Sequence, residues 1–262
     1  MRAPSDLPSF QAGSAHVAIH PTEAAMGRAA ARCAASYIRE ALRQRGAARI
    51  MIGTGNSQLA VIHSLIDAEA LDWTRITVFH MDEYVGISPH HPASFRDWLR
   101  TKVAEKCRPA SVHYIQGDAA DVAAEIERYA GLLSAAPLDL AFVGFGENGH
   151  IAFNDPPFAN FSDPAALKIV TLDDICRRQQ VGEGHFKEFA AVPERAITVT
   201  CSALLRAATW VSCVPESRKA RAVRDALEGP ISTACPASVV RTHPQAHVFL
   251  DADSAALLAA RA

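Results

Sequence analysis

Apolar positions recur along this chain in two alternating rhythms. Behind Pro21-Thr22-Glu23, the residues Met26, Ala30, Cys33, Tyr37 and Leu42 return every three to five positions. That spacing puts one apolar stripe on a helix running to about Gln44, with Thr22 as its predicted cap. Short apolar runs then alternate with further helical stretches. Arg49–Gly53, Arg75–Phe79, Ser111–Ile115, Leu138–Val143, Lys168–Leu172, Ala196–Thr200, Thr209–Val214 and Val248–Leu250 read as strands. Helical patterning follows Ser57 to about Ile66, and spans Phe95–Cys107, Val122–Leu133 and Glu216–Glu228, with Ser254 as the cap of a last helix. Strands alternating with helices predict an α/β fold: a three-layer, doubly wound, mostly parallel Rossmann-like sheet with helices on both faces. Neither an internal repeat nor a low-complexity linker interrupts the pattern, so residues 1–262 are expected to form one domain. Residues 1–18 are expected to be a loosely held tail, and about 158–190 a mobile lid.

Composition narrows the class. The 262 residues are 49% hydrophobic and 21% charged, and the formal net charge is -2. That balance is ordinary for a globular enzyme and offers no basic field for nucleic acid. No run approaches the roughly 18 apolar residues of a membrane span, and the first residues lack an apolar signal core. The six cysteines form no CxxC pair. They read as reduced, space-filling thiols of a cytoplasmic protein.

Three chemically loaded segments each follow a strand. In open α/β sheets, ligands bind at the carboxyl ends of the strands, so these segments predict one shared site. The first is Gly53-Thr54-Gly55-Asn56-Ser57. A glycine-rich turn into a helix exposes N–H groups to a phosphate, although it can equally be a tight connection. The second is His80-Met81-Asp82-Glu83-Tyr84, placed at the head of a long loop. Two adjacent carboxylates are costly unless solvated, paired or used, so Asp82 or Glu83 is a candidate general base, the alternative being a cap or a solvated charge. The third is GFGENGHIAFNDP, Gly144 to Pro156. Its glycines permit a close backbone approach, and Gly149 immediately precedes His150. An imidazole there can move protons near neutral pH, with Asn148 and Asp155 close enough in sequence to orient it. No GxSxG elbow is present, and the His and Asp residues are too scattered for a convincing metal set. Lys219 in Ser217-Arg218-Lys219 can meet a phosphate as a point charge, and Arg177 and Arg178 are further candidates on the lid.

The stretches IGTGNSQLAVIHSL, VFHMDEYVGISPHHPASF, DLAFVGFGENGHIAFNDP, PERAITVTCSALL and PESRKARAVRDALEG, followed by CPASVVRTHP, occur in this order from Ile50 onward. In them the chain resembles the isomerising glucosamine-6-phosphate deaminases, within the superfamily that also holds 6-phosphogluconolactonases. The resemblance implies that Asp82 moves a proton between C2 and C1 of the opened sugar, that His150 opens the ring, and that Asn148 and Asp155 support His150. It places Thr54, Gly55, Asn56, Ser57 and Lys219 at the phosphate, with Glu83, Gly149 and Arg177 as further binding positions. It implies a small amino-sugar phosphate as substrate, no metal or organic cofactor, and a homo-oligomer. Three positions depart from the family pattern: Asn148 stands where many members have Asp, Asp155 where they have Glu, and no arginine of RRQQVGEGHF aligns with the family's lid arginine. A lactonase-like hydrolase, with His150 activating water, is the alternative enzyme; MDEY and AFND speak against it. A non-catalytic sugar-phosphate sensor is the alternative outside catalysis. About 20 residues precede the first helix, too few for a helix-turn-helix, and both Asp82 and His150 are kept.

Overall fold

The structure is a computed structural model that describes residues 9–259. Helix α1 (Glu23–Arg45) starts where Thr22 Oγ1 accepts from the Ala25 N–H at 3.2 Å and ends at Gly46, whose φ of 77° closes it. Its buried stripe is built mainly of alanine, with Met26, Ile38 and Leu42. Small side chains there let α1 lie against α2 (Leu59–Ala68) and the sheet. The helical stretch expected over Phe95–Cys107 forms as α3 (Phe95–Leu99), a π turn (Arg100–Ala104) and α4 (Glu105–Cys107). Helices α5 (Val122–Ser134), α6 (Asp174–Gly182), α7 (Cys201–Leu204) and α8 (Ala220–Glu228) complete the set.

Eight strands make the main sheet. They are β1 (Ser9–Ala12), β2 (Ala15–His20), β3 (Ala48–Ile52), β4 (Ile76–His80), β6 (Ser111–His113), β7 (Leu140–Phe142), β10 (Trp210–Val214) and β11 (Ala246–Asp251). Their order is β1-β2-β11-β10-β7-β3-β4-β6. Every pairing but β1 with β2 is parallel, so most connections cross over through a helix. Alternation along the strands divides two cores. In β3, Ile50 and Ile52 face the α1–α2 layer while Met51 faces the opposite one. In β10, Val211 and Cys213 face the first layer and Trp210 and Val214 the second. The α/β architecture with a mostly parallel sheet therefore stands as the sequence pattern predicts.

Three features differ. Residues 9–18 are not a loose tail. Parallel pairing of β2 with β11 draws the β1–β2 hairpin into the sheet and buries Ala15 and Val17; residues 1–8 lie outside the described residues. The segment placed in a loop at Asp82–Tyr84 is strand β5, which joins β9 (Arg195–Val199) and β8 (Leu167–Thr171) in a separate antiparallel sheet. Ser254 caps no helix. Its N–H donates to Asp251 Oδ1 at 2.8 Å within a run of turns. All six cysteines are free thiols. Among the described residues, no helix is long and apolar enough to cross a membrane.

Candidate active site

Parallel strands deliver their carboxyl ends to one edge of the sheet. There the turns after β3, β4, β7 and β10 line a pocket of about 570 Å³, counted out to its open mouth. Its walls include Thr54 to Gln58, Asp82, Gly144, Gly146, His150 and Lys219, with Gln179, Gln180, Glu183 and His185 closing over from α6 and the turn behind it.

His150 is held from three sides. Its Nδ1 lies 3.0 Å from Asp155 Oδ1, a close ion-pair distance without the alignment of a full hydrogen bond. Asn148 joins the two: its Oδ1 accepts from the His150 N–H and its Nδ2 donates to Asp155 Oδ1, each at 3.0 Å. The ring also rests on Gly146, where a methyl group would overlap the imidazole. Burial penalises the Asp155 charge. The nearby imidazole and hydrogen bonds from Asn148 and the Asp173 N–H more than offset this, holding its carboxyl below the usual aspartate range. An ionised Asp155 beside the ring can stabilise an imidazolium.

Asp82 and Glu83 are neighbours on β5, and a strand turns alternate side chains to opposite faces. Asp82 lines the pocket. Burial, then the adjacent Glu83, raises its pKa well above the ordinary aspartate value. Glu83 points the other way and does not meet the pocket, which corrects its expected place at the substrate. Its carboxylate accepts from Ser94 Oγ at 2.7 Å and from the N–H groups of Tyr84, Phe95 and Arg96 at 2.9–3.2 Å. Arg96 Nε lies 3.5 Å away. Glu83 thus fastens the start of α3 to β5. Replacing Glu83 by Ala strands those donors in a fully buried site and is expected to lower unfolding free energy by about 3 kcal/mol in urea titrations.

On another wall, Thr54 Oγ1 is buried without a hydrogen-bond partner. It is a donor free for a ligand. Lys219 is also buried, and burial lowers its pKa while Glu183 opposes that shift. Two further expectations are corrected. Arg177 is turned from the pocket: its Nη2 donates to Val192 O at 2.8 Å and its guanidinium stacks on the Phe189 ring. Gly149 lies behind the wall, its φ of 82° serving the turn against Cys235.

His150, Asp155 and Cys176 bring three potential metal-ligand atoms within 4.8 Å of one another. Burial and then the Asp155 charge push the Cys176 thiol far up. Cys176 lies on α6, so this contact sets α6 against the His150–Asp155 pair.

Residues 21–249 match the family of glucosamine-6-phosphate isomerases and 6-phosphogluconolactonases. The glucosamine-6-phosphate deaminase of Pseudarthrobacter chlorophenolicus is 35% identical over 230 residues, 86% of this chain and 87% of that protein. That of Lactobacillus delbrueckii subsp. bulgaricus is 33% identical over 216 residues, 81% and 88% of the two chains. A solved structure described as a monomeric glucosamine-6-phosphate deaminase superposes with a TM-score of 0.83 at 29% identity, covering 92% of this chain and 99% of its own. The chain belongs to this family. A 6-phosphogluconolactonase from Shewanella baltica, at 20% identity and a TM-score of 0.73, shares the fold.

The three departures from the family pattern now have physical readings. An amide at Asn148 serves both neighbours, because it accepts from one and donates to the other. The shorter Asp155 still reaches the imidazole directly. In place of a lid arginine, Glu183 and His185 face the pocket. Sequence reasoning missed these two, along with Gln179 and Gln180. The one available signal was Gly182-Glu183-Gly184, a charge between two glycines in the lid.

Proposed function

We propose that this protein converts glucosamine 6-phosphate and water into fructose 6-phosphate and ammonia. The observation that carries the reading is that Asp82 and His150 line one pocket together with Thr54, Gly55, Asn56, Ser57 and Lys219, which we read as its acid/base groups and its phosphate cradle. Opening the pyranose requires a proton at the ring oxygen and removal of one from the C1 hydroxyl, work suited to an imidazole steadied by Asp155 and Asn148. Aldose–ketose isomerisation then requires one base that takes the C2 proton and returns it at C1. Asp82 fills that role. The resulting imine at C2 adds water and loses ammonia. Protons move, water adds and ammonia leaves with no net oxidation or reduction, so the reaction needs no redox cofactor. The remote phosphate supplies binding energy that holds C1 and C2 against Asp82.

Lys219→Ala is expected to raise KM for glucosamine 6-phosphate about 30-fold with a smaller loss in kcat, because a buried point charge on the phosphate acts in ground and transition states alike. An unchanged KM would remove Lys219 from the cradle. A panel of glucosamine 6-phosphate, galactosamine 6-phosphate and 6-phosphogluconolactone tests the substrate class: ammonia is expected from the gluco substrate, with no hydrolysis of the lactone. The reaction is assigned to the cytoplasm. Sedimentation reads the oligomeric state, distinguishing the homo-oligomer implied by the resemblance from a monomer like the structural relative.

A further inference from the structure

The Glu183 carboxylate sits beside Lys219 of the pocket and beside Arg218, which Glu216 and Glu147 also hold at 2.5 and 3.1 Å. Its Oε1 lies 3.0 Å from Arg218 Nη1 and 3.8 Å from Lys219 Nζ, and accepts from Gln179 Nε2 at 2.8 Å. Its Oε2 lies 3.3 Å from His185 Nε2. The Glu183 and Lys219 side chains are only 7% and 3% exposed. Burial works against the carboxylate charge. The His185 contact and the Lys219 and Arg218 charges outweigh it and bring the pKa to about 2, so Glu183 is a full anion near neutral pH.

An anion therefore already rests on Lys219. A phosphate dianion cannot share that lysine with a buried carboxylate without like-charge repulsion. Glycines flank Glu183 on both sides. A Cβ at Gly182 or Gly184 would meet nothing within 4 Å, so packing does not require glycine at either position. Gly182 is the last residue of α6, and Gly184 adopts a φ of 78°. Glycines on both sides of one charged residue give it backbone freedom on a segment that closes over the pocket.

We propose that Glu183 is a stand-in anion for the substrate phosphate: it holds Lys219 and Arg218 in the empty pocket, and an incoming phosphate displaces it and releases the 182–186 turn. The inference rests on Lys219 being the phosphate residue of the function proposed above. It makes the lid selective. A neutral sugar lacks the charge to take over Lys219 and leaves the turn latched, whereas a phosphorylated sugar unlatches it.

The test is calorimetric titration of the whole protein with inorganic phosphate. Glu183→Gln keeps the side-chain shape and deletes the competing charge, so phosphate is expected to bind about 10-fold tighter than to the unaltered protein. Equal or weaker binding by Glu183→Gln would overturn the proposal. Should that variant fail to fold, hydrogen exchange on the unaltered protein decides. The N–H groups of Glu183, Gly184 and His185 donate to Gln179, Val181 and Gln180 carbonyls at 2.8–3.0 Å, and phosphate is expected to speed their exchange. Exchange that stays the same or slows would overturn the proposal. Neither readout needs turnover. A protein that releases no ammonia, yet binds phosphate tighter as Glu183→Gln, would fail the proposed reaction and leave this latch standing.

Discussion

Asp82→Asn is expected to lower kcat for glucosamine 6-phosphate by about 10⁴-fold, at the upper end of what one positioned general base contributes. Asparagine matches the shape of aspartate but cannot take the C2 proton. Substrate affinity should change little, because the phosphate cradle is untouched. The unaltered enzyme adds a pH signature. Asp82 must be ionised to act, and burial with Glu83 beside it raises its pKa. The acid limb of kcat/KM should therefore lie above the pH at which an ordinary aspartate ionises, with activity falling as pH drops through that limb. Glu83→Gln removes the neighbouring charge and should move the limb to lower pH. Steady-state kinetics from acidic to neutral pH, with melting curves to confirm folding, check both statements. An Asp82→Asn protein with unimpaired turnover would remove this residue from the mechanism.

His150→Gln is expected to lower turnover of the cyclic substrate by about 10³-fold, because the ring oxygen then loses its proton donor. Glutamine retains polarity but does not change charge near neutral pH. An acyclic amino-alditol phosphate needs no ring opening, so it should bind the variant about as well as the unaltered protein. Loss of that binding would show that His150 shapes the pocket instead of working on the ring. Asp155→Asn should act in the same direction with a smaller effect, since Asn148 still anchors the backbone of His150 through a 3.0 Å bond.

Much of this site could be read from residue order because its parts sit where strands end. Gly53–Ser57 and Gly144–His150 follow short apolar runs, and parallel pairing of β3 with β7 brings the two turns to one edge. Glu83 was misplaced for a physical reason. Its strand is only three residues long and pairs with β9 from much later in the chain, so local patterning gave no period-2 signal. Without the strand, two adjacent carboxylates look equivalent; with it, they face opposite ways. The N-terminal hairpin escaped notice for the same reason, since its burial comes from pairing with β11. The contacts of α6 with the pocket are likewise absent from local patterning. Gln179, Gln180 and Glu183 meet the pocket only because α6 docks there, with Tyr84 Oη donating to Gln180 Oε1 at 2.8 Å and the Glu147 N–H donating to Gln179 Oε1 at 3.0 Å. Such docking depends on tertiary packing that no short segment encodes.

The measurement closest to the central claim is simultaneous assay of ammonia and fructose 6-phosphate from purified protein given glucosamine 6-phosphate, with Asp82→Asn as the control. The account predicts the two products in equal amounts from the unaltered protein and a drop of about 10⁴-fold in both from the variant. Hydrolysis of 6-phosphogluconolactone by a protein that releases no ammonia from glucosamine 6-phosphate would contradict it.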